Sequence, residues 1–96
     1  MARDKTKLTD AEVQAFLAHS PGWALEAGML KKTYAFSDFR AAMAFVNRVA
    51  DAAEAADHHP DIDIRYAKVT LALVSHDAQG LTGRDTALAA QLERFA

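Results

Sequence analysis

The chain has 96 residues, 51% of them hydrophobic and 25% charged, with a formal net charge of -2 and no cysteine. That length supports one domain, 1–96, with a single core and a small site, and excludes a cofactor domain beside a substrate domain. The charge balance offers no general attraction for phosphate backbones or anionic lipid, and the missing cysteine excludes a disulfide framework, thiolate metal ligands and a thiol nucleophile.

The first residues are charged, and no apolar run of signal-peptide or membrane-span length follows them. A cytoplasmic protein is expected, with no membrane segment, no direct nucleic-acid binding and a flexible stretch at 1–7. Leu8-Thr9-Asp10-Ala11-Glu12-Val13 carries a capping-box Thr and Glu, with Leu8 and Val13 spaced for a hydrophobic staple, so a short helix starts there and ends at Ser20-Pro21-Gly22. Residues 23–26 and 30–36 alternate in polarity about Ala27-Gly28, which predicts an antiparallel hairpin with Leu30, Tyr34 and Phe36 on one face and Lys31 and Thr33 on the other. Ser37 is placed to cap a long helix running to about Asp57, with Phe39, Met43, Val46, Ala50 and Ala53 as its stripe and Ala42 and Val49 widening it. Its other faces still hold Ala41, Ala44, Phe45, Ala52 and Ala55, which fits a subunit contact or simply a helix made of good helix formers.

Residues 62–66 and 69–75 are β-branched and alternating, a second hairpin, and Thr82 with Asp85 opens a last helix on which Leu88, Leu92 and Phe95 share a face. The order α-β-β-α-β-β-α predicts an α+β fold: a four-stranded antiparallel sheet with three helices packed on one face.

Three of the four histidines fall within nineteen positions, in the frame Glu54-x3-His58-His59-Pro60-x5-Tyr66-x9-His76-x8-Asp85. Imidazoles donate and accept protons near neutral pH, so this clustering points to proton transfer. Pro60 disfavours helical backbone at His59, which ends the long helix near His58. Antiparallel pairing of the last two strands brings the start of one, His59-Pro60, beside the end of the other, Ser75-His76. Glu54 lies one helical turn before His58, placed either to orient that ring or to form an ordinary surface pair. Asp85 sits where a capping box puts an acid, so it reads as structural or supporting. Tyr66 is a cross-strand core aromatic or a ligand contact. Trp23 reads as core and His19 as a solvated cap residue. Adjacent histidines point apart, unlike converging zinc ligands, and the run Asp57, Asp61, Asp63 lacks the glycine and terminal Glu of a calcium loop, so no metal site is expected.

The same seven positions, with Pro21-Gly22-Trp23, Asp38-Phe39-Arg40 and Gly80-Leu81-Thr82-Gly83-Arg84-Asp85, resemble the pterin-4a-carbinolamine dehydratases from about Leu8 to Phe95. The resemblance implies removal of water from a 4a-hydroxytetrahydropterin to give quinonoid dihydropterin in tetrahydrobiopterin recycling, with the pterin as substrate and no cofactor. It implies catalytic roles for His58, His59 and His76, with His58 and His76 as the proton-transfer pair. Glu54, Asp57, Pro60, Ser75, Asp77 and Ala78 are implied on the substrate side, with Asp85 and Tyr66 in support. A homodimer or homotetramer is implied too. The competing reading is a non-catalytic interaction module, of the dimerisation-cofactor or coactivator type, that uses the long helix.

Overall fold

Helices start where a side chain can satisfy their free amides, and each of the three here has such a cap. The computed structural model describes residues 5–96. In α1 (Asp10–Ala18) the Thr9 hydroxyl accepts from the Glu12 amide and the Glu12 carboxylate accepts from the Thr9 amide, the reciprocal pair that the sequence predicts. α2 (Phe39–Ala56) is capped by Asp38, not Ser37: its Oδ1 accepts from the Ala41 amide at 2.8 Å, and a carboxylate also favours the positive helix end. α3 (Gly83–Leu92) opens on Thr82 with Asp85 completing the box.

Between these lie β1 (Ala24–Glu26), β2 (Met29–Ala35), β3 (Asp61–Arg65) and β4 (Lys68–Leu73), which form one antiparallel sheet in the order β1-β2-β4-β3. Ala27 and Gly28 both have positive φ (53° and 80°), as a tight two-residue hairpin needs. The second turn uses Tyr66 at φ 52° followed by Ala67, so β3 ends one residue before the predicted strand does.

Alternation along the strands sends Leu30, Tyr34, Val69, Leu71 and Leu73 into the core beneath the helices. Against them α2 packs Ala42, Phe45, Val49, Ala52 and Ala53. Ala42, Val49 and Ala53 are buried as the predicted stripe and its widening require, but the inward face is rotated from the rest of that stripe: Phe45 and Ala52 face inward, whereas Phe39 is 49% exposed. A helix apolar on most sides offers more than one face, and the contacts of the Phe45 ring with Tyr34 and Phe36, tilted pairs with centroids 4.7 and 5.0 Å apart, select one. Trp23 is buried, as read from the sequence.

The predicted flexible stretch 1–7 lies partly outside the described residues; within them, Lys7 bridges to Thr82 and the Leu8 amide donates to the Leu81 carbonyl at 2.8 Å. No helix among the described residues is long and apolar enough to cross a membrane.

Candidate active site

The site begins where α2 stops. Asp57 takes the left-handed conformation (φ 49°, ψ 45°), which Asp tolerates better than most residues, and the His58 amide folds back onto the Ala53 carbonyl at 3.1 Å. The chain then runs into β3, whose register with β4 pairs Asp61 with Ala72. Continued backwards, that register sets His59 beside Val74 and His58 beside Ser75. Successive side chains point to opposite faces of a sheet, so the neighbouring histidines diverge. His58 turns under the helices and is buried; His59 stays exposed.

Each ring meets a different carboxylate. His58 Nε2 donates to Asp85 Oδ1 at 2.6 Å, and Asp85 is wholly buried. The other Asp85 oxygen accepts from the Ser75 hydroxyl at 2.8 Å and the Thr82 amide at 2.9 Å. Ser75 in turn accepts from the Thr82 hydroxyl at 2.9 Å, which itself accepts from the Arg84 amide and Nε at 3.2 Å. With Asp85 accepting, Nε2 of His58 carries a proton, and in the neutral ring Nδ1 is the nitrogen with the lone pair. His59 Nε2 pairs with Glu54 Oε2 at 2.5 Å in the open, with both side chains more than half exposed.

His76 leads a short 3-10 turn, His76–Ala78, that follows β4. Arg84 pins this turn from α3 through a forked pair with Asp77, at 2.7 Å and 3.2 Å. A cavity of about 310 Å³ opens between these elements, lined by Asp57, His58, His59, Val74, His76 and Asp77. Three imidazoles thus face one space, one of them fixed by a buried acid. Such a set can pass protons to and from a small ligand.

Residues 6–95 match the family model for pterin 4 alpha carbinolamine dehydratase. The chain belongs to the pterin-4a-carbinolamine dehydratase family. Among its relatives is a protein of Acidobacterium capsulatum, 56% identical over 87 residues, covering 91% of this chain and 95% of the relative. A second, from Thermomicrobium roseum, is 52% identical over 90 residues, covering 94% and 97%. Both carry pterin-4-alpha-carbinolamine dehydratase as a provisional name. Among solved structures, a transcriptional coactivator/pterin dehydratase from Brucella melitensis superposes with a TM-score of 0.91 at 29% identity, covering 95% of this chain and 99% of that one. A pterin dehydratase-like protein identified as a RuBisCO assembly factor in the alpha-carboxysome gives 0.70 at 26% identity, covering 81% and 93%.

The dehydratase motif is only partly gathered at this cavity. His58, His59, His76, Asp57 and Asp77 line it, whereas Pro60, Ser75 and Ala78 do not. Ser75 is buried with its hydroxyl turned to Asp85 and Thr82, so it holds the site's frame and offers no side chain to a ligand. Glu54, predicted to orient His58, holds His59 instead: the turn at Asp57 swings His58 away from the helix face that a four-residue spacing assumes. Asp85 is the partner of His58; its capping role, legible in the sequence, occupies only one of its two oxygens. Tyr66 is neither core nor in contact with this pocket. It stands 71% exposed at the far end of the β3-β4 hairpin, roughly 16 Å along the strand from Asp61 at about 3.3 Å per residue.

Val74, Thr82 and Arg84 are the residues that sequence reasoning passed over. Thr82 and Arg84 were visible inside the Gly80-to-Asp85 motif, but nothing in their spacing announced a chain of hydrogen bonds ending at His58. His19 is exposed, its Nδ1 donating to the Ala15 carbonyl of its own helix at 3.2 Å.

Proposed function

We propose that this chain dehydrates a 4a-hydroxytetrahydropterin to the quinonoid dihydropterin, with the pterin as substrate and no resident cofactor. The observation that carries this reading is the cavity shared by His58, His59 and His76, in a chain of this family. Its volume lies at the small end of ligand sites, about 300 to 1,000 Å³, a scale suited to a bicyclic ring.

In the reaction the N5 lone pair forms the C4a=N5 bond as the C4a–O bond breaks. The departing oxygen takes a proton from a general acid and leaves as water, while the N5 hydrogen goes to a general base. His58 fits the base. Its Nδ1 keeps the lone pair, and the imidazolium formed on proton uptake stays paired with buried Asp85, which needs no reorganisation to stabilise it. His76, at the cavity mouth on a turn braced by Arg84, fits the acid. His59 and Asp57 would orient the ring.

The test is the rate of loss of a freshly generated 4a-hydroxytetrahydropterin with and without the protein. Acceleration that His76→Ala removes supports the reading, and a rate equal to the uncatalysed one ends it.

A second reading, an interaction module, is favoured by one observation: an outward groove on α2 around exposed Phe39, with Arg40, Met43, Ala44 and Asn47. Phe39→Glu would disable that function and leave dehydration intact, whereas His76→Ala would do the reverse.

A further inference from the structure

The sheet is covered by helices on one face only. Alternation puts Leu30, Leu71 and Leu73 beneath the helices, so the residues between them turn to the other, uncovered face. The register sets these in rows across β2, β4 and β3: Lys31, Ala72 and Asp61 in one, Thr33, Thr70 and Asp63 in the next. Continued one row towards the histidines, it gives Met29, Val74 and His59. His59 and Val74 line the histidine cavity, so that cavity opens onto the uncovered face.

A groove of about 210 Å³ runs on from there. Met29 and Lys31 wall it from β2, Asp61 and Asp63 wall it from β3, and Ala72 and Thr70 of β4 form the floor. Ala72 has no helix above it, yet it is only 6% exposed, because its register neighbours Lys31 and Asp61 stand higher on both sides. The charges of this groove are not satisfied within the chain. Among the described residues the Asp61 carboxylate has no hydrogen-bond or ion-pair partner, and Lys31 Nζ reaches only Glu26, at 3.4 Å. The Thr70 hydroxyl shares a single bond with Thr33 at 2.8 Å, which leaves lone pairs on both. A carboxylate facing an ammonium and a hydroxyl suits a ligand that donates and accepts at successive atoms. Vicinal hydroxyls do both; an alkyl chain does neither.

We propose that this groove holds the C6 side chain of the pterin and selects a polyhydroxylated one, with Asp61 and Lys31 as the residues that set the preference. The direction of the chain rests on the dehydratase reading; the polar groove does not. C6 is bonded to N5, the atom whose hydrogen passes to the base, so its substituent leaves the ring beside the histidines. From the His59 row to the Asp61 row is about 7 Å along the strand, a step that a short hydroxylated chain spans.

The test uses freshly generated 4a-hydroxytetrahydropterins with methyl, dihydroxypropyl or trihydroxypropyl at C6. In the parent protein kcat/KM should rise with each hydroxyl, by about tenfold from first to last, carried by KM and on the scale of one net hydrogen bond. Asp61→Ala should bring the values to within about twofold of one another, and Lys31→Met should narrow them in the same direction. The stable 7,8-dihydropterins with the same substituents, titrated by calorimetry, should follow the same order in Kd and lose it in Asp61→Ala. Equal kcat/KM across the series in the parent, or equal proportional losses across it in Asp61→Ala, overturns the groove's role while dehydration stands. Dehydration of none of them ends the reaction reading, and the Kd order then decides the groove alone: a graded order abolished by Asp61→Ala upholds it, and a flat one overturns it.

Discussion

His58 and His59 are adjacent in sequence, and each holds a carboxylate by Nε2 at nearly the same distance, 2.6 and 2.5 Å. Their surroundings make them different groups. Asp85 is fully buried and receives three donors, so His58 is the last member of a closed network reaching through Ser75 and Thr82 to Arg84. Glu54 is on the surface of α2, where water screens the pair and side-chain entropy opposes it. The lesson is that a carboxylate one helical turn away on the surface holds a ring less firmly than one delivered by a distant element into a dry site.

The largest expected effect is on the buried side. Asp85→Ala leaves the His58 ring, the Ser75 hydroxyl and the Thr82 amide without their acceptor, and His58→Ala leaves a buried carboxylate without its ring. Either should cost about 3 to 5 kcal/mol in denaturant unfolding, the usual penalty for breaking a buried pair, together with most of the activity. Losses below about 1 kcal/mol in both variants would mean that the network is not coupled to folding.

Next comes His76→Ala, which removes an exposed ring and should lower the dehydration rate about 100- to 10,000-fold. Its stability should stay within about 0.5 kcal/mol of the parent, as for surface replacements generally. Equal destabilisation in this variant and in His58→Ala would erase the distinction between a ring that builds the site and one that only works in it.

Smaller again is the effect at the surface pair. Glu54→Gln should change stability by less than about 1 kcal/mol and act on substrate affinity through His59, leaving the His58 environment alone. An NMR shift of the His58 ring as large as that of His59 in this variant would contradict the assignment.

The smallest effect lies at the other end of the molecule, where Glu93 is held by Lys32 at 2.7 Å and by the Tyr34 hydroxyl. Burial raises the Tyr34 phenol most, and the Glu93 hydrogen bond and charge add to it. Burial alone would raise the Glu93 carboxyl too, but hydrogen bonds from Lys32 and Tyr34 outweigh it and hold the group below the ordinary carboxylate range. A depressed folded-state value stabilises the fold above the unfolded-state pKa, and that contribution fades as pH falls through the folded value. Glu93→Gln should therefore flatten the acid side of the stability curve slightly, and an unchanged slope would contradict this account.

Local signals carried most of the fold. Both capping boxes, the Ala27-Gly28 turn and the alternation around Leu30 and Tyr34 act over a few residues, so they are readable without the tertiary structure. The inward face of α2 was readable only in part: Ala42, Val49 and Ala53 were expected there and are buried, but Phe45 and Ala52 were placed on another face, because the helix is apolar on most sides and packing against Tyr34 and Phe36 decides which side turns inward. At the candidate site, the approach of His76 to His58 and His59 followed from strand pairing. The exchange of partners did not: Asp57 adopts a left-handed turn that no spacing rule includes, and Asp85 uses a second oxygen that its capping role leaves spare.

The account turns on three imidazoles working in one space. Its most direct test is the single-turnover loss of 4a-hydroxytetrahydropterin, followed in the parent protein and in His76→Ala at matched folded fraction. The account predicts fast, protein-dependent loss in the parent and near-uncatalysed loss in the variant. Equal rates in the two proteins would contradict it.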